Sequence, residues 1–176
     1  LKGIQVHPVL GMENPWSYRN KVQVPVGEQN GRMVAGYYKK RSHEIVNMEN
    51  CGVELSMDDS IVLKVLDICK ANGISPYDEN EHKGILRHIM VRWAKETGEI
   101  MIVLITRTRT LPNSDEIVKD IRTSIPNVKS IVHNINTKRT NVILGDRSAT
   151  LWGSSTITDY IGEIKFAISP RSFYQV

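Results

Sequence analysis

The sequence predicts an α+β domain: a largely antiparallel β-sheet with two main helices, in which a hairpin followed by a helix occurs twice. Three observations carry this reading. Alternating polar and apolar runs come in pairs around short turn signals. Each pair is followed by an apolar stripe at helical spacing. Beyond Pro126 the pattern returns to short strand-like runs.

Asn14, Pro15 and Ser17 read as a loop, so regular structure is expected from about Tyr18. Residues 21–26 alternate, residues 27–31 (GEQNG) supply turn chemistry and residues 32–38 resume, which predicts a hairpin. Pro25 has no N–H for a ladder, so it is expected on an edge or at a bulge. Residues 43–48 read as a third short strand, with Cys51 just after it. Ser56 is placed to cap a helix, and Asp58 and Asp59 in its first turn suit the helix dipole. Ile61, Val62, Val65, Leu66 and Cys69 form its apolar stripe, and Asn72-Gly73 ends it. Residues 74–84 read as a polar loop. Residues 85–95 and 99–109 flank Thr97-Gly98 as the second hairpin. Leu111-Pro112-Asn113-Ser114 opens the second helix, which Pro126 stops after about Ile125. Residues 128–136 predict a strand, residues 141–153 one or two more, and residues 162–169 a last one before Pro170.

The chain has 176 residues, of which 40% are hydrophobic, enough for a packed core. The longest apolar run, residues 100–105, is far too short to cross a bilayer, so no membrane partner is expected. Two cysteines cannot build a disulfide framework or, alone, a four-ligand metal site. A reducing, cytoplasmic compartment is the expectation. The first residue is Leu1, which suggests an excised piece or a processed chain.

The net charge of +4 is modest, but it is unevenly spread. Residues 19–43 hold Arg19, Lys21, Arg32, Lys39, Lys40 and Arg41 against Glu28 alone. Residues 44–82 carry a local charge of −7, and residues 83–95 return to +4 with Arg87 and Arg92. Two readings follow: one face that prefers polyanions, or two solvated surfaces of opposite sign. Aromatics interleave with the cations at residues 16–21 and 37–41. Tyr38 could stack on an unpaired base, whereas Trp16 and Tyr37 suit either stacking or the hydrophobic side of a hairpin. On a strand, Arg19 and Lys21 would point together, as would Lys39 and Arg41.

No self-contained catalytic motif is present: no G-x-S-x-G, no phosphate-binding loop, no H-E-x-x-H. The five histidines lack ligand spacing, and His88 reads as a solvated or packed strand residue. Cys69 lies on the helix stripe and reads as core; Cys51 reads from its residues as a buried, inert thiol.

Several strings become specific together: NPWSYRNKVQVPVG, GYYKKRSHEIVNMENC, GILRHIMVR followed by TGE, SIVHNINTKRTNVILG, LWG, and ISPRSFYQV. In this order they resemble the RNA (uracil-5-)-methyltransferases of the RumA/TrmA type, over about residues 14–176. The resemblance implies the central domain of an S-adenosylmethionine-dependent enzyme that forms 5-methyluridine, with 23S ribosomal RNA as substrate. In that family's chemistry a cysteine thiolate adds to C6 of uracil so that C5 can accept the methyl group. It implies residues 1–14 as a lead-in, 15–170 as the central α+β domain, and 171–176 as the first residues of the methyltransferase domain. The cysteine nucleophile, the glutamate base and the glycine-rich cofactor motif have no matching positions here. The chain alone is therefore expected to be inactive and to hold no cofactor. By the same resemblance Phe173 lies near the target uracil and Gln175 at the cofactor pocket. Cys51 matches the fourth ligand of the 4Fe-4S cluster found in some members, beside the inert-thiol reading. Substrate contacts are expected from Arg19, Lys21, Tyr38, Lys39, Lys40, Arg41, Arg87 and Arg92. The expected partners are RNA, ribosomal RNA above all, and the rest of the same polypeptide. The alternative is a stand-alone RNA-binding or ribosome-associated module without catalysis.

Overall fold

A computed structural model of the chain describes residues 3–11, 19–48 and 57–174, with the side chains of residues 57–59 excepted. The expectations placed on residues 12–18, on Cys51, on Ser56 and on Gln175 lie outside the described residues, as do those on the side chains of Asp58 and Asp59.

The first hairpin forms from β1 (Lys21–Gln29) and β2 (Arg32–Tyr38). Its turn is narrower than GEQNG suggested. Only Asn30 and Gly31 leave the ladder, with φ of 52° and 75°. Two successive positive φ values match the right-handed twist of the strands, which lets Gly27, Glu28 and Gln29 stay paired. β3 (Ile45–Asn47) adds to β2. Pro25 sits neither on an edge nor in a bulge of its own strand. Residues 21–25 pair with β4 (Leu86–Trp93), whereas pairing with β2 begins at Val26. Proline therefore stands where β1 changes partner, and the missing N–H costs little there.

Helix α1 (Met57–Ala71) buries the stripe Ile61, Val62, Val65, Leu66 and Cys69. It ends in a Schellman arrangement: Gly73 N–H donates to Lys70 O and Ile74 N–H to Cys69 O, each at 3.0 Å, with Gly73 at φ 73°. β4 and β5 (Ile100–Thr106) form the second hairpin, and α2 (Ser114–Ser124) follows. Asn72 and Asn113 join the helices: Asn72 Nδ2 donates to Asp120 Oδ2 at 3.0 Å, and Asn113 Nδ2 to Asn72 O at 2.9 Å. α2 is also the crossover to β6 (Val128–Ile135), which runs parallel to β5. β7 (Arg147–Gly153) closes a seven-stranded sheet of order β3-β2-β1-β4-β5-β6-β7, antiparallel apart from that one pair.

Both faces of the central strands are covered, which explains their almost continuous apolar runs. Ile89, Val91, Ile102, Leu104 and Ile131 pack with the helices. Met90, Met101, Val103, Ile105 and Val132 pack beneath a second, two-stranded sheet, β8 (Ile157–Ile161) with β9 (Ile164–Ile168). The sequence reading missed β8, although Ile157, Asp159 and Ile161 alternate before the Gly162 turn. Asp159 fastens this hairpin. Its fully buried carboxylate accepts from the N–H of Lys95 at 3.0 Å and of Glu96 at 2.9 Å, and from Tyr174 Oη at 3.2 Å.

His88 is packed: it faces Pro25 across β1 and is only 7% exposed. Burial first, and the neighbouring Arg87 charge second, pull its pKa from 6.5 down to about 3. Burial lowers His133 as well.

Two predictions follow from this packing. Asp159→Ala strands three donors, and the midpoint of urea unfolding should drop by the equivalent of about 3 kcal/mol; an unchanged midpoint would contradict the fastening role. The unfolded chain takes up a proton on His88 near its ordinary value of 6.5, the folded chain only near 3. Stability is thus fully present above the unfolded value and falls on acidification by about 1.4 kcal/mol per pH unit. Urea titrations from about pH 7 to about pH 4 should show that slope reduced by one proton in His88→Gln.

Candidate nucleic-acid interface

One row of paired residues, Leu86, Thr106, Ile135 and Arg147, marks one end of the sheet. Three loops meet there: residues 74–85, 107–113 and 136–146. A bulge organises them. The register between β4 and β5 slips between Leu86 and His88, which leaves Arg87 unpaired in the ladder and re-aims its side chain. The guanidinium donates to the carbonyls of Asn136 at 2.9 Å, Lys138 at 2.6 Å and Thr140 at 2.9 Å. It also lies 4.5 Å from the centre of the Tyr77 ring, a cation–π contact. Arg139 reaches in the other direction, to the carbonyls of Glu79 and Asn80. At the loop's far end Asn134 and Gly145 bond reciprocally, at 2.8 and 3.0 Å. A Cβ on Gly145 would stand 1.8 Å from Ile135 O, so only glycine closes that loop.

The turn between β2 and β3 joins this end. Lys39 N–H donates to Glu44 O at 2.8 Å, Arg41 takes φ 62°, and the Lys39 ammonium pairs with the Glu44 carboxylate. Tyr38 stacks on His43 with ring centres 5.1 Å apart, and His43 Nδ1 lies 2.8 Å from Glu79 Oε2. A cleft of about 830 Å³ opens between this turn, residues 76–80 and residues 139–143. A second, of about 530 Å³, is lined by residues 135–147 and Arg109.

The substrate-contact candidates separate into two groups. Lys40, Arg41 and Arg19 are exposed, and Tyr38 is 42% exposed. Lys39 is exposed but committed to Glu44. Because β2 ends at Tyr38, Lys39 and Arg41 belong to a tight turn and not to one strand face, a correction to the alternation argument. Arg87 and Arg92 are also corrected as open phosphate contacts. Each is 4% exposed and donates to backbone carbonyls, Arg92 to that of Ser172. Lys21 sits opposite Arg92 across the strand pair; burial first and that charge second hold its pKa below the ordinary lysine value. Phe173 is 89% exposed.

The sequence reading passed over Arg109 and Arg147, which make no ion pair among the described residues and line the second cleft. The signal was there in R-T-R at 107–109 and G-D-R at 145–147, two short segments far apart in the chain. Only the parallel pairing of β5 and β6 makes them neighbours.

Metal chemistry finds no fit among the described residues. None of them form a group of three or more His, Cys, Asp or Glu suited to a metal. The Cys69 thiol is fully buried in apolar surroundings that push its pKa up to about 12, the reverse of a ligand thiolate. Among the described residues no helix is long and apolar enough to cross a membrane.

No family model matches the chain. Curated relatives match along its whole length. A Bacillus cereus protein named uncharacterized RNA methyltransferase is 56% identical over all 176 residues. Counterparts of the same description from Halalkalibacterium halodurans and Clostridium acetobutylicum are 51% and 48% identical, again over the whole chain. The chain spans 38% of the length of these relatives. Among solved structures, the Pyrococcus abyssi tRNA (uracil-54, C5)-methyltransferase in complex with S-adenosyl-L-homocysteine has the same fold, with a TM-score of 0.69 and 21% identity. That match covers 89% of this chain and 36% of that one. Over its whole length the chain is therefore similar to part of proteins described as RNA methyltransferases, and it shares the fold of part of a tRNA (uracil-54, C5)-methyltransferase.

Proposed function

We infer that this chain is the central, RNA-positioning part of an S-adenosylmethionine-dependent RNA methyltransferase that forms 5-methyluridine, with ribosomal RNA as its substrate. The observation that carries the reading is 56% identity over all 176 residues to part of a protein described as an RNA methyltransferase. The convergence of basic loops supports it. Lys40, Arg41, Arg109 and Arg147 stand at or beside two clefts as cations without an ion pair among the described residues. Such charges hold phosphates and position RNA without reading its sequence. The bond-making groups lie elsewhere in this proposal; the Cys69 thiol is buried and held protonated, which does not suit a nucleophile. Residues 15–170 act as the central domain and residues 171–176 lead into the methyltransferase domain. Phe173 stands beside the target uracil and Gln175 at the cofactor pocket. The exposure of Phe173 suits a side chain that packs against something further along the polypeptide.

The activity test uses the full-length protein, S-adenosylmethionine and ribosomal RNA made without modification. Mass spectrometry of the digested RNA should reveal one new 5-methyluridine. Methylation on another base, or none, would refute the reading. For the RNA grip, binding of a labelled hairpin is followed across a salt series. Lys40→Ala/Arg41→Ala should flatten the log–log slope by about 1.4, from about 0.7 per released contact on single strands. Equal slopes for both proteins would mean that the turn is only a solvated face. Calorimetry on the 176-residue chain should detect no S-adenosylmethionine binding at micromolar concentration.

A further inference from the structure

The larger cleft has a chemistry different from its rim. Glu28, Glu44, Asp78 and Glu79 line it, against the guanidiniums of Arg87 and Arg139. Both guanidiniums already donate to backbone carbonyls. The lining carries four carboxylates against two committed guanidiniums and so disfavours phosphate, while the cations Lys40 and Arg41, without an ion pair among the described residues, lie on the adjoining turn.

Two of the four acids are engaged. Glu44 pairs with Lys39 and Glu79 with His43. Asp78 spends one carboxylate oxygen on the N–H groups of Asn80 and Glu81, at 2.8 and 3.1 Å. Its second oxygen and the carboxylate of Glu28 have no partner among the described residues. An independent observation concerns His88. It lines the same cleft, is 7% exposed, and makes no side-chain hydrogen bond among the described residues. A buried imidazole without a partner is costly unless a ligand supplies one. Its neutral ring offers one donor and one acceptor. The stacked pair of Tyr38 and His43 forms an aromatic wall, with Tyr38 partly open.

Acceptor carboxylates, a neutral imidazole and an aromatic wall, rimmed by cations, match one nucleotide flipped out of its stack. We propose that this cleft receives an unstacked RNA base that carries an exocyclic amine (cytosine, adenine or guanine) while its phosphates run along the Lys40–Arg41 turn. Uracil has no amine to give the carboxylates, so the cleft selects a base beside the methylation target and not the target itself. About 830 Å³ lies within the range of sites that take a molecule of nucleotide size. The proposal rests on the reading that the protein handles RNA, and it adds a base preference which that reading does not require.

The test uses the full-length protein and two fluorescein-labelled RNA hairpins with the same stem, one with a loop of uridines and one with a loop of cytosines. The quantity read is the ratio of the two affinities, which cancels the phosphate contacts common to both. Wild type should prefer the cytosine loop about fivefold to tenfold, the discrimination of one good carboxylate–amine contact. Glu28→Ala/Asp78→Asn should bring the ratio close to one. It should not weaken uridine-loop binding, because removing acids favours phosphate. Asn at 78 keeps the oxygen that the loop needs, and Glu28→Ala alone, at an exposed strand position, should already lower the ratio. A wild-type ratio of one, or a preference that survives both variants, overturns the base pocket and leaves the RNA-methyltransferase reading intact. Absence of binding to either hairpin overturns both.

Discussion

The Arg87 guanidinium is the interaction on which the functional end of the molecule depends. A buried cation is costly unless every donor finds an acceptor. Three carbonyls of one loop and the face of Tyr77 meet most of that cost without any carboxylate. The result is a loop, residues 136–140, held from inside the fold by a charge delivered through a bulge in β4. The bulge frees Arg87 from the regular alternation of the β4–β5 ladder, in which its side chain would be fixed to one face of the sheet. The cleft then arises between this anchored loop and the turn after β2, which the His43–Glu79 contact holds to residues 76–80.

The same end is where the proposed function places the preparation of a substrate. Lysine and arginine without ion partners stand on the turn beside the cleft, whereas exposed carboxylates and the buried, neutral His88 line it. In the proposed reading the first hold phosphates without regard to sequence and the second distinguish bases. On the face of the sheet away from the helices, the β8–β9 hairpin covers Met90, Met101 and Val103 and is fastened by Asp159. Tyr174 belongs to that covering, with its ring 5.5 Å from Phe166, whereas Phe173 beside it turns outward.

Much of the fold was legible because local rules and burial agreed. Asn30-Gly31, Thr97-Gly98 and Asn72-Gly73 mark turns through backbone freedom, and the stripe from Ile61 to Cys69 marks a helix by its period. β8 escaped because it is short and half exposed, and its alternation competes with the turn residues around it. The charge argument found the basic turn but misjudged Arg87 and Arg92, since a one-dimensional charge count is blind to burial.

The sequence by itself determined the α+β class, the order of the hairpins and helices, and, through motifs in order, the resemblance to a family. Those signals are local or survive as strings. Only the tertiary structure decided which cations are spent inside the fold and which remain outside, that Arg109 and Arg147 share a cleft, and that His88 faces one without a partner. The physical reason is that register and crossover set these neighbours. A slip of one residue at Leu86–His88 and one parallel pairing, β5 with β6, bring together side chains that no spacing in the chain connects.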